Sequence, residues 1–284
     1  MSHKMKLIAD GGSSKTKWGY GSGASITFFE SPGINLHYMS DEAVLAHLAK
    51  VKDQLKGEIT EIHFYGSGIS SPGIAKRMNK LLKQSFGASL LVASYSDFLG
   101  AARALFQKES GVACILGTGV ATGIYGQGEI INQQPSLGFW LGDEGGGADL
   151  GKRLVKAYLR KELPVALLAA FEQEYGVVDR EYFFDKLKTE DRPNAYFASF
   201  APFFSGQSPD RWVKETLEIA FEAFAVHHLV GYDLKGNETI GFVGSIAYHF
   251  KDELKKVLAM YFDNNIIFLP DALEGLMDYH MTNV

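Results

Sequence analysis

Two rhythms of apolar residues alternate along the first half of the chain. Short apolar runs at residues 6–9, 26–30, 61–65 and 89–93 predict strands, the last leading to Tyr95-Ser96-Asp97. Between them Val44, Leu48, Val51 and Leu55 recur at helical spacing from about Asp41, with Gly57 as a stop. Ile74, Met78, Leu81 and Leu82 do the same after Pro72, and the alanine-rich residues 97–106 read as a short helix. Strands that alternate with helices predict an α/β layer with a mainly parallel sheet and antiparallel hairpins at its start.

The pattern starts again at Val112. Residues 112–116 form an apolar run, 120–125 a second β-rich stretch, and 239–243 and 265–269 two further strands. Helices fill the interval. One runs from about Gly146 through Leu150, Leu154 and Tyr158, an aromatic-rich helical region covers 162–206, and an amphipathic stretch over 209–230 carries Trp212, Leu217, Phe221 and Phe224. The aromatic residues of 182–184 and 197–204 read as core or as a dimer surface. A helix to about Phe262 and a last one from Pro270 complete the chain. The restart near Gly111 predicts two α/β domains, 1–110 and a larger 111–269 with a helical insertion.

Each start is marked by a glycine-rich turn. Asp10-Gly11-Gly12-Ser13-Ser14-Lys15-Thr16 follows the first strand and leads into 17–20, and Gly117-Thr118-Gly119 follows 112–116. Glycine accepts φ > 0 and has no side chain to hold a ligand away, so a strand–turn–strand of this kind lets backbone N–H groups reach phosphate oxygens. One such turn is equally well explained as a simple reversal of the chain. Its recurrence after about 105 residues is too long for a solenoid repeat and predicts a duplicated domain. A third strand end, at Gly244-Ser245, offers another turn for the same nucleotide. Neither a P-loop nor a dinucleotide fingerprint is present, because the first turn leads to a strand rather than a helix.

Composition narrows the classes. The 284 residues are 46% hydrophobic and 21% charged, which suits two folded domains and suggests neither disorder nor a membrane span. Lys and Arg number 28 against 33 Asp and Glu, a net charge of −5 that lacks the basic excess of a nucleic-acid binder. Cys114, the single cysteine, lies in an apolar run and makes a reducing, cytoplasmic location the default expectation. Residues 1–4 carry no apolar signal region, and the eight histidines show no metal-binding spacing.

The motifs, in order, resemble a known superfamily. Residues 10–16, Ile115-Leu116-Gly117-Thr118-Gly119 and Phe242-Val243-Gly244-Ser245 resemble the first phosphate, second phosphate and adenosine motifs of the sugar-kinase, Hsp70 and actin superfamily. Gly33-Ile34-Asn35, Ser96-Asp97 and Gly142-Asp143-Glu144-Gly145 are similar to the N-acetylglucosamine kinases within it, in the wider group of the BadF/BadG/BcrA/BcrD ATPases. The resemblance implies two ribonuclease H-like (actin-like ATPase) domains flanking a nucleotide and sugar cleft, with the C-terminal helix 270–284 returning to the first. It also implies ATP and Mg²⁺ as cofactors and a small amino sugar as substrate, first of all N-acetylglucosamine at its 6-hydroxyl. Charge and composition give no expectation of a nucleic-acid or membrane partner, and a homodimer stays open.

Residue by residue, the resemblance makes Asp97 the general base, which accepts the proton of the attacking sugar hydroxyl; a helix N-cap is the plainer alternative. Asn35, Ser136, Leu137, Gly138 and Asp143 become sugar contacts, with a turn asparagine and a helix cap as the alternatives for Asn35 and Asp143. The family commonly has a glycine, tryptophan, glycine series where Ser136, Leu137 and Gly138 stand. Gly12, Ser13, Ser14, Lys15, Gly117, Thr118, Gly119, Gly244 and Ser245 become ATP contacts, Lys15 being equally readable as a solvated lysine. Asp10 becomes the residue that holds Mg²⁺ through water. An N-acetylmuramic acid kinase is the nearest rival, with Lys152 and Arg153 as candidate partners for the extra carboxylate. An activator ATPase of radical dehydratases needs two cysteines per subunit for its shared iron–sulfur cluster, against one here. A nucleotide-gated assembly ATPase is the third class.

Overall fold

The computed structural model describes residues 5–12, 15–23, 25–207 and 210–281. Among the described residues ten strands form two five-stranded sheets. The first contains β1 (Met5–Gly11), β2 (Lys15–Ser22), β3 (Ser25–Pro32), β4 (Ile59–Gly66) and β5 (Leu91–Ser96), in the spatial order β3-β2-β1-β4-β5. The second contains β6 (Gly111–Leu116), β7 (Val120–Gly126), β8 (Glu129–Gln133), β9 (Ile240–Val243) and β10 (Ile266–Leu269), in the order β10-β9-β6-β7-β8. Read from the opposite edge, that is the same arrangement of third, second, first, fourth and fifth strand. The turns at 11–16 and 117–119 therefore each join the first and second strand of their own sheet. In the first sheet β1–β2 and β2–β3 are antiparallel while β1–β4 and β4–β5 are parallel; in the second, β6–β9 and β9–β10 are parallel.

Helices supply the crossovers that parallel strands require. The described helices are α1 (Asp41–Lys52), α2 (Pro72–Phe86), α3 (Asp97–Phe106), α4 (Gly138–Leu141), α5 (Gly147–Leu159), α6 (Val165–Tyr175) and α7 (Arg180–Thr189). Then follow α8 (Pro193–Ala198), α9 (Pro202–Gly206), α10 (Arg211–Phe224), α11 (Ser245–His249), α12 (Lys251–Leu258) and α13 (Leu273–Met281). None of the described helices is long and apolar enough to cross a membrane.

The chain separates into two compact units. One comprises the chain up to Ser110, Tyr125–Ile130 and the chain from Asp271; the other comprises Gly111–Ile124 and Ile131–Pro270. Each has its own apolar core. In the first, Leu7, Trp18, Val44, Leu48, Ile62 and Met78 are completely buried in one cluster, so β1 and β4 pack beneath α1 and α2. In the second, Phe171, Phe203, Phe204, Phe221, Phe224 and Phe242 join β6, α5 and the inserted helices in a single aromatic-rich core. The aromatic residues of 197–204 are thus mainly core, although Tyr182 and Phe184 remain exposed.

Several elements depart from the pattern-based boundaries for identifiable reasons. Residues 162–206 are four short helices rather than one region, because Pro164, Pro193 and Pro202 start new helices and Gly176, at φ +82°, ends α6. The long amphipathic helix leaves α geometry after Phe224 and closes in a π-turn over Ala225–Leu229. The last helix starts at Leu273, not Pro270, because the Asp271 carboxylate accepts the Leu273 N–H at 3.0 Å. The exposed strand β8 carries no alternating apolar pattern to announce it.

The closing helix is tied to its unit by a buried polar cluster. Lys6 Nζ donates to His280 O at 2.7 Å, Tyr65 Oη bonds His280 Nε2 at 2.8 Å, and the His63 ring stacks on His280 at 3.7 Å between centroids. Burial, together with His63, Arg103 and Lys6, pushes the His280 pKa down from 6.5 to about 2. The folded protein thus refuses a proton that the unfolded chain takes up near pH 6.5. Stability is intact above that pH and falls as pH drops below it. Acidification from pH 7.5 to 5 should cost about 1–2 kcal/mol through this residue. Urea unfolding of wild type and His280→Gln at both pH values checks this: the variant should lose less on acidification, and an equal loss would remove His280 as the cause.

Candidate active site

In the first unit the functional candidates collect at the ends of β1 and β5. Gly11 is demanded by packing, since a Cβ there would lie 2.9 Å from Tyr65 O on the neighbouring strand. A Cβ on Gly12 would meet Lys15 O at 3.1 Å. Ser13 and Ser14 lie outside the described residues. Lys15 forms a surface ion pair with Glu30 at 2.8 Å.

Asp10 is the penultimate residue of β1, and its Oδ2 accepts the backbone N–H of Ala272 at 3.3 Å. Burial raises its pKa to about 6; the Ala272 bond opposes this, Asp271 and Asp97 add to it, and Lys17 offsets them. Asp97 opens α3 but does not cap it. Ser96 does, accepting the Leu99 N–H at 3.2 Å, so the Asp97 carboxylate sits one residue inside and accepts the Phe98 N–H at 2.8 Å. Burial raises the Asp97 pKa, against the backbone N–H groups of Phe98 and Asp97 itself. Asn35, buried after β3, uses Oδ1 to accept the His37 N–H at 3.0 Å, the turn role expected of an asparagine. Its Nδ2 has no protein partner among the described residues. A Cβ on Gly68 would lie 2.6 Å from Asn35 Oδ1, so glycine is required beside it.

In the second unit two glycine turns meet. Gly244, at φ +127°, brings its α-carbon so close to the first turn that a Cβ would lie 2.5 Å from Leu116 O and 3.1 Å from Gly117 N. Beside them opens a cavity of about 400 Å³, within the range of small-molecule sites. Gly117, Thr118 and Ser245 line it with Gly147 of α5; the rest of the lining, from α8, α9 and α11, is mostly apolar, with Ala198, Ala201, Pro202, Ile246 and Phe250 beside Ser205 and His249. Gly117 faces open space, where a Cβ would meet nothing within 4 Å, so the fold alone does not demand glycine there.

The acidic segment braces this turn. Asp143, in left-handed conformation at φ +62°, accepts the Val120 N–H through Oδ1 at 3.1 Å, and a Cβ on Gly119 would lie 2.7 Å from its Oδ2. Gly147 N–H and Ala148 N–H donate to the carbonyls of Gly117 and Thr118 at 2.7 and 3.0 Å. Burial raises the Asp143 pKa, with the Val120 N–H, His228 and Lys152 opposing it. Glu144 pairs with His228 of the π-turn at 2.9 Å. Burial alone would raise Glu144, but its own backbone N–H and the His228 ring outweigh it and leave its pKa lowered. Ser136 and Leu137 are exposed ahead of α4, Gly138 opens that helix at φ +65°, and none of the three lines the cavity.

Thus Gly117, Thr118 and Ser245 come together at one cavity with Gly119, Asp143 and Gly244 directly behind, while Asp10 and Asp97 are neighbours in the other unit. Sequence reasoning missed Asp271 and Lys17, which flank Asp10, and the cavity residues from α8, α9 and α11. Small residues interleaved with Phe197, Phe200, Phe203 and Phe204 were the available signal for Ala198, Ala201 and Ser205. Among the described residues no group of three or more His, Cys, Asp or Glu is arranged to hold a metal.

No protein-family model and no curated protein sequence matches the chain. Solved structures do. A putative N-acetylglucosamine kinase from Porphyromonas gingivalis matches at 31% identity and a TM-score of 0.90, over 98% of this chain and 99% of its own. A putative N-acetylglucosamine kinase from Chromobacterium violaceum matches at 18% identity and a TM-score of 0.75, over 98% and 99%. A ROK family glucokinase from Streptomyces griseus, solved with glucose and AMPPNP, matches at 12% and 0.54 over 97% of each chain. The last two are likenesses of fold. With the two sheets, these matches show the two-domain α/β fold of sugar kinases and actin-like ATPases.

The two turn glycines should respond oppositely to a methyl group. Gly119→Ala must displace Asp143 and should cost about 1–3 kcal/mol. Gly117→Ala has room, and should leave stability unchanged or raise it by up to about 1 kcal/mol. Thermal unfolding of both variants checks this; equal melting temperatures would remove the Asp143 brace.

Proposed function

Because the chain belongs to the family of the Porphyromonas gingivalis putative N-acetylglucosamine kinase, we propose that it transfers the γ-phosphoryl group of ATP to an amino sugar, N-acetylglucosamine at its 6-hydroxyl. The observation that carries the reading is the cavity beside the Gly117 and Gly244 turns, lined by both polar and apolar groups. Adenosine fits the apolar lining, and phosphates fit beside Gly117, where no side chain intervenes, and next to the Thr118 hydroxyl. Gly12, Ser13 and Ser14 are proposed to face the phosphates from the first turn; Lys15 is spent on Glu30.

Asp97 is the proposed general base. Its position at the start of α3 holds a carboxylate against backbone N–H groups, and burial raises its pKa. Asn35 would orient the sugar through Nδ2, its Oδ1 being engaged. Asp143 would orient a sugar hydroxyl while bracing the turn, next to the Ser136, Leu137 and Gly138 segment. The surroundings of Asp10 fit Mg²⁺, since a buried carboxylate with two carboxylate neighbours and a raised pKa gains from a cation. Mg²⁺ takes few protein ligands and keeps its waters, and when bound it neutralises charge on the phosphates.

N-acetylmuramic acid fits less well. Of the cations nearest Asp143 in sequence, Lys152 donates to Phe139 O at 3.0 Å and Arg153 pairs with Asp149 at 2.9 Å, so both are engaged. A site built to bond an acetamido group leaves polar groups unpaired when that group is missing. N-acetylglucosamine should therefore exceed glucose in kcat/KM by at least about tenfold. ATP-dependent phosphorylation of the three sugars, assayed side by side, tests this. Faster turnover of N-acetylmuramic acid would overturn the acceptor but keep the kinase, and glucose as best acceptor would sink the acetamido argument.

Two substitutions test the roles. Asp97→Asn should lower kcat by roughly 10²–10⁴ with both KM values near wild type, because shape and hydrogen bonding remain. Retained turnover would leave Asp97 without a catalytic role. Gly117→Ala should raise the KM for ATP without loss of stability, and an unchanged KM would move the phosphates elsewhere.

A further inference from the structure

Asp10 and Lys17 are direct cross-strand partners in the β1–β2 hairpin, a placement that ordinarily yields an ion pair. Lys17 instead turns to Asp271, with Nζ to Oδ2 at 2.6 Å. Asp271 comes from the far end of the chain, just after β10, and both of its oxygens are engaged, since Oδ1 accepts the Leu273 N–H at 3.0 Å. The next residue, Ala272, donates its N–H to Asp10 Oδ2. Asp10 is thus held through one oxygen by a neutral backbone group, and its Oδ1 has no protein partner among the described residues. Lys17 also faces Glu30 across the β2–β3 pair, so it has three carboxylates within choice and is bound to the one supplied by the C-terminal segment.

We propose that Asp271 is a positioning residue for Asp10: by holding Lys17, it keeps that ammonium from closing onto Asp10 and leaves the carboxylate open to a nucleotide-borne divalent cation. The proposal rests on the reading of Asp10 as the Mg²⁺-side carboxylate. An ammonium in contact with Asp10 and Mg²⁺ near it would compete for the same charge. The Asp271 pair settles that competition before nucleotide arrives, and Ala272 fixes the rotamer in which one oxygen stays available.

A double-mutant experiment separates this role from simple bracing. Asp271→Asn keeps an oxygen for the Leu273 N–H but releases Lys17. The Mg²⁺ concentration for half-maximal turnover, and the calorimetric Kd of MgADP, should each rise about fivefold, with the KM for sugar unchanged. Adding Lys17→Met to Asp271→Asn should bring both back to within about twofold of wild type, and Lys17→Met alone should stay near wild type. If Asp271 merely braced the fold, the double variant would be as impaired as the single or worse. A silent Asp271→Asn, or a double variant without recovery, overturns the proposal. A crystal structure of Asp271→Asn reads the switch independently of activity: Lys17 should lie at Asp10, and Lys17 remaining at residue 271 or moving to Glu30 overturns the idea. Should wild type neither phosphorylate a sugar nor bind MgADP, the proposed function falls, and that crystal structure still decides where Lys17 goes.

Discussion

Close approach of backbone to backbone at the ends of the central strands is the constraint on which the other features rest. At Gly11 the chain runs so near β4 that a side chain would strike Tyr65 O, and at Gly244 so near β6 that it would strike Leu116 O. Gly117 differs from these. It has space and an ordinary backbone conformation, so its lack of a side chain is a property of the cavity surface rather than of the packing.

The carboxylates around these strand ends share one electrostatic situation with different solutions. Asp10, Asp97 and Asp143 are each buried enough to have a raised pKa, and each is steadied by backbone N–H groups rather than by a lysine or arginine in contact. Neutral donors hold a carboxylate in place without cancelling its charge. Cations in the same regions are tied off: Lys17 to Asp271, Lys15 to Glu30, Arg153 to Asp149. The proposed phosphoryl transfer would gain from that separation, since a carboxylate without a contacting cation of the protein is free to act on substrate or metal.

Two backbone irregularities lie where these elements join. Asp143 occupies left-handed space without being glycine, and the helix after Phe224 widens to a π-turn that carries His228 to Glu144. Thr122 donates to His228 O at 3.0 Å from the strand that follows the Gly117 turn, so turn, acidic segment and π-turn form one hydrogen-bonded cluster. The non-helical conformations there are over-determined by their neighbours.

The sequence by itself determined the α/β class and the places of most strands and helices, because hydrophobic period and glycine or proline punctuation are local properties of the chain. The two glycine turns were legible for the same reason, and the shared strand order of the two sheets is the duplication they announced. Tertiary structure alone decided how those turns are used. Ser96 rather than Asp97 caps α3, Lys15 goes to Glu30, and Gly119 is glycine on account of Asp143, and none of these follows from a motif. Partners such as Asp271 for Lys17 and His228 for Glu144 lie 254 and 84 residues away in the chain. No local pattern encodes them, since a side chain's charge states what it can bind, and only the fold determines what is within reach.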